Sequence, residues 1–395
     1  MRTAVLQAPR KGRLGFPCEN SDAFLPATGF SANMNLVSRV GNSARTLVET
    51  PLADIRGLTL EELERLAMES GEKRFRGSQL AGWLYGRAAE SFEQMLELPR
   101  GFREILKEHF RIGGARAAAV VRSADATRKL LVALADGEQI ETVVIPARGR
   151  VTLCVSSQAG CAMGCAFCAT ARMGLRRNLD AGEILEQIFL ARRELQPGEE
   201  ITNYVFMGMG EPLANYPRLM KALKIMTSPW GMGISPRRIT VSTVGLVPSI
   251  ERLLAEIPVR LAVSLHATTD ELRDRIAPIN RRYPLKELLE ACRRVPLKLR
   301  DRITFEYVML RGVNDSPEDA KRLVRMLAPL RAKVNLIFFN QFSGSGFEPS
   351  SRAVVEDFQA ILRQGNLTAT LRESRGVDIA AACGQLYAEQ GASHA

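Results

Sequence analysis

The chain has 395 residues, 46% hydrophobic and 25% charged, which is ordinary soluble globular composition with room for one large domain and a smaller one. No apolar run approaches the roughly 20 residues of a membrane-spanning helix. The apolar stretch within the basic start, Met1 to Arg13, is too short for a secretory signal, so a cytoplasmic protein without membrane contact is expected. A net charge of +11, with Arg pairs at 176–177, 237–238, 281–282 and 293–294, points to nucleic acid as the polyanionic partner.

Residues 1–48 show no sustained period and read as a mobile leader. A helical accessory region is expected over 49–115. It opens with a capping box, Thr59 with Glu62, ahead of Leu60, Leu63, Leu66 and Ala67, and Gly71 is its natural stop. Apolar positions at Leu80, Trp83, Leu84, Phe92, Met95 and Leu96 predict two or three more short helices. Within 116–150, residues 129–134 and 140–145 flank Asp136-Gly137 and predict a β-hairpin.

From 151 to 390 strand and helix patterns alternate. Strands are expected at 151–155, 204–207, 239–242, 260–265, 303–309 and 334–339, with helices at 181–195, 216–226, 248–256, 285–294, 317–327 and 354–363. Such alternation implies an α/β fold with a parallel sheet, open or curled towards a barrel. Functional residues in that fold lie where the strands end.

Seven cysteines are present, four of them between Cys154 and Cys168, a clustering that favours metal or redox chemistry over a disulfide framework. Cys161, Cys165 and Cys168 place three thiolates on one short loop. A 4Fe-4S cluster takes one cysteine per iron, so three leave one iron open. S-adenosylmethionine fills such a position and is cleaved by one electron to a 5′-deoxyadenosyl radical. The competing reading is zinc with Cys154 as fourth ligand, but Cys-x3-Cys-x2-Cys does not divide into the usual pairs. At the end of the next strand, Met207-Gly-Met-Gly-Glu-Pro212 offers backbone approach at Gly208 and Gly210 and an ammonium acceptor in Glu211. Ser242, Ser264, His266 and Asn340 fall at later strand ends. Each is acceptable as a satisfied core polar group, yet their shared placement points to a ligand.

From about Leu58 to Tyr387 the chain resembles the RlmN/Cfr group of radical S-adenosylmethionine adenosine methyltransferases. The motifs that carry the resemblance are Ile140-Glu-Thr-Val-Val-Ile-Pro146, Leu153-Cys-Val-Ser-Ser-Gln-Ala-Gly-Cys161, Arg177-Asn-Leu179, Gly208-Met-Gly-Glu-Pro-Leu213, Ser264-Leu-His-Ala267 and Arg375-Gly-Val-Asp-Ile-Ala-Ala-Ala-Cys-Gly384. The segment with Phe75-Arg76, Gln79 and Trp83-Leu84-Tyr85 resembles the group's small RNA-binding domain.

The resemblance implies a partial (β/α)6-type radical S-adenosylmethionine barrel, one 4Fe-4S cluster and two S-adenosylmethionine per turnover. It assigns Cys383 as the S-methylcysteine intermediate, Cys154 as the thiol that resolves the RNA adduct by a transient disulfide with Cys383, and Glu141 as proton acceptor. Leu265 joins Gly210, Glu211, Ser242, Ser264, His266 and Asn340 as cofactor-binding residues. The implied substrate is adenosine in ribosomal RNA, and also transfer RNA, at carbon 2 with carbon 8 as the alternative. A monomer served by an external electron donor is implied.

Without the resemblance, Cys383 reads as a helix-end cysteine before Gly384, and Glu141 as a strand-edge charge. Cys18 and Cys292 receive no role. The chain departs from the group at Ala171, where Cys-Ala-Thr-Gly is usual, and at Asp125-Ala126-Thr127, where Asp-Gly-Thr is usual. It also lacks a proline in Gln341-Phe-Ser-Gly-Ser-Gly346. These loops are expected near RNA, which makes a side branch with another RNA target an alternative. An RNA-binding protein without turnover and a radical enzyme for a small molecule are the readings from other classes.

Overall fold

The structure is a computed structural model that describes residues 52–298 and 301–387. The expected leader lies outside the described residues.

The helical segment begins with β1 (Ala53–Asp54) and continues through α1 (Leu60–Glu69), α2 (Phe75–Ala81) and α3 (Arg100–His109) to β2 (Phe110–Arg111), which pairs parallel with β1. Thr59 forms the expected capping box: its hydroxyl accepts from Glu62 N, and the Glu62 carboxylate accepts from Thr59 N at 2.7 Å. Helix α1 then buries Leu63, Leu66 and Ala67 on one face.

Strands β3 (Arg116–Arg122), β4 (Arg128–Ala133) and β5 (Gln139–Ala147) form an antiparallel meander, and β6 (Arg150–Cys154) adds antiparallel to β5. The expected hairpin is β4–β5, and β3 is an additional strand. Beside the cysteine loop lie the short strands β7 (Gln158–Gly160) and β8 (Leu175–Asn178) and the helical turn α4 (Ala169–Arg172). Then α5 (Ala181–Arg193) and β9 (Ile201–Phe206) begin the alternation. It continues with α6 (Tyr216–Thr227), β10 (Ile239–Thr243), α7 (Val247–Glu256) and β11 (Arg260–Ser264). Next come α8 (Asp270–Ile276), α9 (Leu285–Arg294), β12 (Ile303–Met309) and α10 (Pro317–Leu327). The series ends with β13 (Ala332–Phe338), α11 (Arg352–Gln364) and β14 (Thr368–Arg372).

Strands β6, β9, β10, β11, β12, β13 and β14 are parallel neighbours in that order, and the meander extends the β6 side to a 10-stranded sheet. All six expected parallel strands are present. The seventh, β14, was not expected, because Thr368-Ala-Thr-Leu-Arg372 alternates polar and apolar residues without a strong apolar signature. Strand β12 is buried along its whole length, as a central parallel strand covered on both faces must be. The sheet curls: Arg372 Nη1 on β14 reaches Met207 Sδ, just after β9, at 3.7 Å.

The hydrogen-bonded ladder does not close, and residues 376–387 bridge its two ends. Gly376 N donates to Asp125 Oδ2, and Ser123 Oγ and Ala124 N donate to Asp378. Further along, Tyr387 N donates to Glu141 Oε2 at 2.8 Å, while Thr170 Oγ1 donates to Leu386 O. The β3–β4 turn that receives this segment contains Ala126 at φ 67°, a left-handed conformation that costs an alanine about 1–2 kcal/mol. Ala171, the other departure from a glycine, lies in the right-handed turn of α4.

The helical segment docks on α5 through a buried ion pair. Arg56 is 1% exposed, pairs with Glu186, donates Nη2 to Ala89 O at 2.8 Å and lies 4.2 Å over the Phe189 ring. Burial raises the Glu186 pKa, and Arg56 opposes that shift. Removing one partner of such a pair strands the other charge. Arg56→Met should therefore destabilise the fold by about 3–5 kcal/mol in chemical denaturation, with Arg56→Met/Glu186→Leu recovering most of the loss. Ala126→Gly should stabilise by about 0.5–1 kcal/mol in the same assay, strain relief outweighing the added chain entropy.

Candidate functional site

The cysteine loop is pinched at its base by β7 and β8, where Gln158 faces Asn178 and Gly160 faces Leu175. Cys161 N donates to Gly174 O at 2.9 Å. Gly160 sits at φ +75°, and a Cβ there would lie 1.9 Å from Gly174 O, so only glycine lets the two arms meet. Cys161, Cys165 and Cys168 are drawn to one wall of a cavity at the carboxyl ends of the strands. Among the described residues no three His, Cys, Asp or Glu side chains converge as ligands of a single ion would. The three thiols share one wall, with the Glu211 carboxylate acting electrostatically on Cys161 and Cys165, and three soft sulfur donors fit an iron–sulfur cluster. Burial pushes their thiol pKa values up, that of Cys161 to about 12, so the free thiols are protonated until a metal displaces the protons.

The turn after β9 packs onto the start of this loop. Gly210 adopts φ +96°, and a Cβ there would meet Gln158 Cβ at 2.5 Å. Met209 N donates to Ser156 Oγ, and Glu211 N to Gln158 Oε1, both at 2.8 Å. The buried Glu211 carboxylate accepts from Leu213 N at 3.0 Å and Val244 N at 2.8 Å, which ties the loops after β9 and β10 together. Burial lifts its pKa to about 7 against the pull of those N–H donors, so a nearby cation would favour its ionised form.

Gly210, Glu211, Ser242, Ser264 and His266 all line the cavity; Leu265 and Asn340 are not among its lining residues. Leu265 is fully buried and donates its N–H to Glu306 O. Asn340 Nδ2 donates to Cys383 O at 3.3 Å and so holds the backbone of that cysteine. His266 adopts φ 60°, and Ala267 N donates to Leu265 O across it, a strained tight turn of the kind found at functional sites. Its Nδ1 accepts from Val308 N at 3.0 Å, which leaves the proton on Nε2, and Phe167 packs edge-on at 4.3 Å. Burial, then Arg273, lowers its pKa to about 3.

Cys383 lies on the bridging segment and lines the cavity with Gly384, whose carbonyl accepts from Ala169 N at 2.7 Å. Cys154 is buried at the end of β6. Burial, then Cys383, pushes its thiol up to about 12, and Arg372 works in the opposite direction. The structure thus brings Cys154 and Cys383 into one electrostatic neighbourhood, both as free thiols. Glu141 is buried on β5 outside the cavity lining, with Lys129 Nζ and Tyr387 N each at 2.8 Å from its carboxylate.

Sequence reasoning missed the two charged cavity residues Glu306 on β12 and Arg372 on β14. The signal for Glu306 was present: the one charged residue, between Phe305 and Tyr307, of a fully buried strand. Arg372 had none, since its strand was not expected.

The neutral His266 makes stability fall in acid. The unfolded side chain titrates near 6.5 and the folded one near 3, so this contribution is complete above pH 6.5 and is lost as pH drops towards 3. Between pH 6.5 and 5, unfolding free energy should drop by about 2 kcal/mol more in the unsubstituted protein than in His266→Asn. Asn retains an acceptor and tolerates the left-handed backbone.

Residues 155–324 match the Radical SAM superfamily, and residues 53–112 match the ribosomal RNA large subunit methyltransferase N-terminal domain. The chain is 53% identical over 349 residues to the dual-specificity RNA methyltransferase RlmN of Anaeromyxobacter dehalogenans (strain 2CP-C), covering 87% of this chain and 93% of that protein. Identity to the same-named protein of Geotalea uraniireducens (strain Rf4) is 51% over 333 residues, 84% of this chain and 96% of that one. Among solved structures, a radical SAM methyltransferase from Sphaerobacter thermophilus superposes with a TM-score of 0.82 at 46% identity, covering 86% of this chain and all of that one. With such identity along nearly the whole length of its relatives, the chain belongs to the RlmN family of RNA methyltransferases within the radical SAM superfamily.

Proposed function

We propose that the chain methylates an adenosine ring carbon in RNA, carbon 2 in the first instance, through an S-methylcysteine at Cys383. The observation that carries this reading is the placement of Cys383, more than two hundred residues beyond the cysteine loop, on the lining of the cavity that also holds Cys161, Cys165 and Cys168. When bound on those three thiolates, a 4Fe-4S cluster supplies the electron that cleaves S-adenosylmethionine to a 5′-deoxyadenosyl radical.

The chain's own residues do the rest. Glu211 receives the ammonium of S-adenosylmethionine, and Gly210 admits its backbone. Ser242, Ser264 and His266 orient the nucleoside, Leu265 holds the turn that carries His266 through its backbone, and Asn340 positions Cys383. The Cys383 thiolate takes a methyl group from one S-adenosylmethionine, and a second yields the radical that removes a hydrogen atom from that methyl. The resulting carbon radical bonds to the adenine ring, and the adduct gives up one electron to the oxidised cluster. Glu141 accepts the proton lost from the ring carbon, and its place beside Tyr387 sets it at the end of the segment that carries Cys383. Cys154 then attacks Cys383 Sγ: a disulfide forms, the sulfur–carbon bond breaks, and the released carbon takes a proton.

Ribosomal RNA is the proposed substrate, with transfer RNA as the second, in keeping with the dual-specificity name of the relatives. Residues 49–115 act as the RNA-binding accessory domain, 116–150 as a β extension and 151–390 as the barrel core. Arg87 lies 4.1 Å over the Trp83 ring and Arg76 4.8 Å over Phe75, cation–aromatic pairs suited to phosphate and unpaired bases. The protein works in the cytoplasm as a monomer with an external electron donor.

Anaerobic reconstitution with ribosomal or transfer RNA, followed by nucleoside mass spectrometry, tests this reading against 2-methyl- and 8-methyladenosine standards. Finding neither, despite cleavage of S-adenosylmethionine, would refute RNA methylation while sparing the radical chemistry. Cys383→Ala should abolish methyl transfer at unchanged iron content. Cys154→Ala should instead trap a covalent protein–RNA adduct, visible as a shifted band on a denaturing gel.

A further inference from the structure

Glu306 lies in the middle of β12 and is 4% exposed. Its Oε1 accepts from Asn335 Nδ2 at 3.0 Å, and Asn335 Oδ1 in turn accepts from Thr370 Oγ1 at 2.6 Å. That chain fixes the carboxylate. Its other oxygen, Oε2, is buried with no hydrogen-bond partner. A buried carboxylate oxygen left without a donor is costly, and such orphans need a reason.

Arg372 lines the same cavity from β14, with β13 between the two strands. It attracts Glu306 and the thiols of Cys383 and Cys154 electrostatically without an ion-pair contact among the described residues, and its hydrogen bond goes to a weak acceptor, Met207 Sδ. The cavity wall therefore presents a fixed acceptor and a fork of donors that do not satisfy each other. Strands two apart in a sheet lie about 10 Å from one another, enough for the edge of a planar heterocycle between their side chains. Phe206 and Phe339, also on the lining, offer apolar contact to its faces.

An adenine edge has the matching pattern, an amino donor next to a ring-nitrogen acceptor. Guanine in the same register would set its carbonyl oxygen against the carboxylate, acceptor against acceptor. We propose that Glu306 and Arg372 together read the amino-bearing edge of an adenine, Glu306 Oε2 accepting from the amino group and Arg372 donating to the adjacent ring nitrogen. Two adenines enter this reaction, that of the RNA and that of S-adenosylmethionine, and the inference rests on the function proposed above for the first.

Glu306→Gln and Arg372→Lys in the reconstituted holoenzyme separate the two sources. Affinity for S-adenosylmethionine is measured by calorimetry without RNA. Single-turnover methylation is measured on RNA with adenosine, or with purine riboside lacking the amino group, at the target site. If the RNA base is read, Glu306→Gln slows methylation of the adenosine RNA by about tenfold or more. It leaves the purine RNA rate and the cofactor affinity unchanged, so discrimination by the amino group collapses. If the cofactor adenine is read, affinity for S-adenosylmethionine falls by about tenfold or more and both RNAs slow alike. Unchanged cofactor affinity together with unchanged adenosine-over-purine discrimination overturns the proposal. Should the unsubstituted enzyme methylate neither RNA, the proposed function falls, and the calorimetric arm alone decides, unchanged affinity again overturning adenine recognition. Arg372→Lys, which keeps the charge but loses the fork, should shift the same readout in the same direction.

Discussion

An extended β-sheet has two edges, and here those edges are β3 and β14. The placement of Cys383 on the cavity wall depends on how the gap between them is managed. Residues 376–387 cross it with backbone and side-chain hydrogen bonds to the β3–β4 turn, to β5 and to the cysteine loop. Because Cys383 is part of that segment, its position is determined by both ends of the sheet at once. The same hydrogen bonds that close the arc bring Gly384 against Ala169, next to Cys168. Closure and placement of the reactive thiol are one constraint.

That constraint makes the cavity a place where charge is expensive. Burial pushes the thiols of Cys161 and Cys154 and the carboxyl of Glu211 towards their neutral forms, and does the same to the His266 imidazole. A cation arriving in such a site restores ionisation at Glu211, so ligand and residue charge each other. The backbone is strained in the same region, at His266, and the strain is held by hydrogen bonds from Val308 and Asn314 on either side.

What could be read from the sequence follows the range over which each signal acts. Thr59 and Glu62 declare a helix start within four residues, and the cysteine spacing declares its chemistry within eight. Strand β12 announces itself because a strand covered on both faces is apolar nearly throughout, while β9, β10 and β13 carry polar residues and are legible from their place between helical patterns. Strand β14 does not announce itself, since Thr368 and Thr370 make it look like loop, and its place is dictated by β13 alongside. Glu306 and Arg372 come from separate strands and reach one cavity wall only because β13 pairs with both. Cys383, Cys154 and Glu141 were legible only through resemblance to a family, because nothing local distinguishes them. The two alanines that replace family glycines looked alike in sequence. Only Ala126 sits in a backbone region where the exchange matters.

The bridging segment also imposes an order in time. The loop with Cys161, Cys165 and Cys168 leaves the ribosome roughly two hundred residues before Cys383, an interval of about 10–40 s at ordinary synthesis rates. Throughout it Ala169 and Thr170, beside Cys168, lack the carbonyl partners that Gly384 and Leu386 later give them. Synthesis order thus makes Cys383 the last of these cavity thiols to arrive, and the segment that ties β14 to β3 and β5 arrives with it.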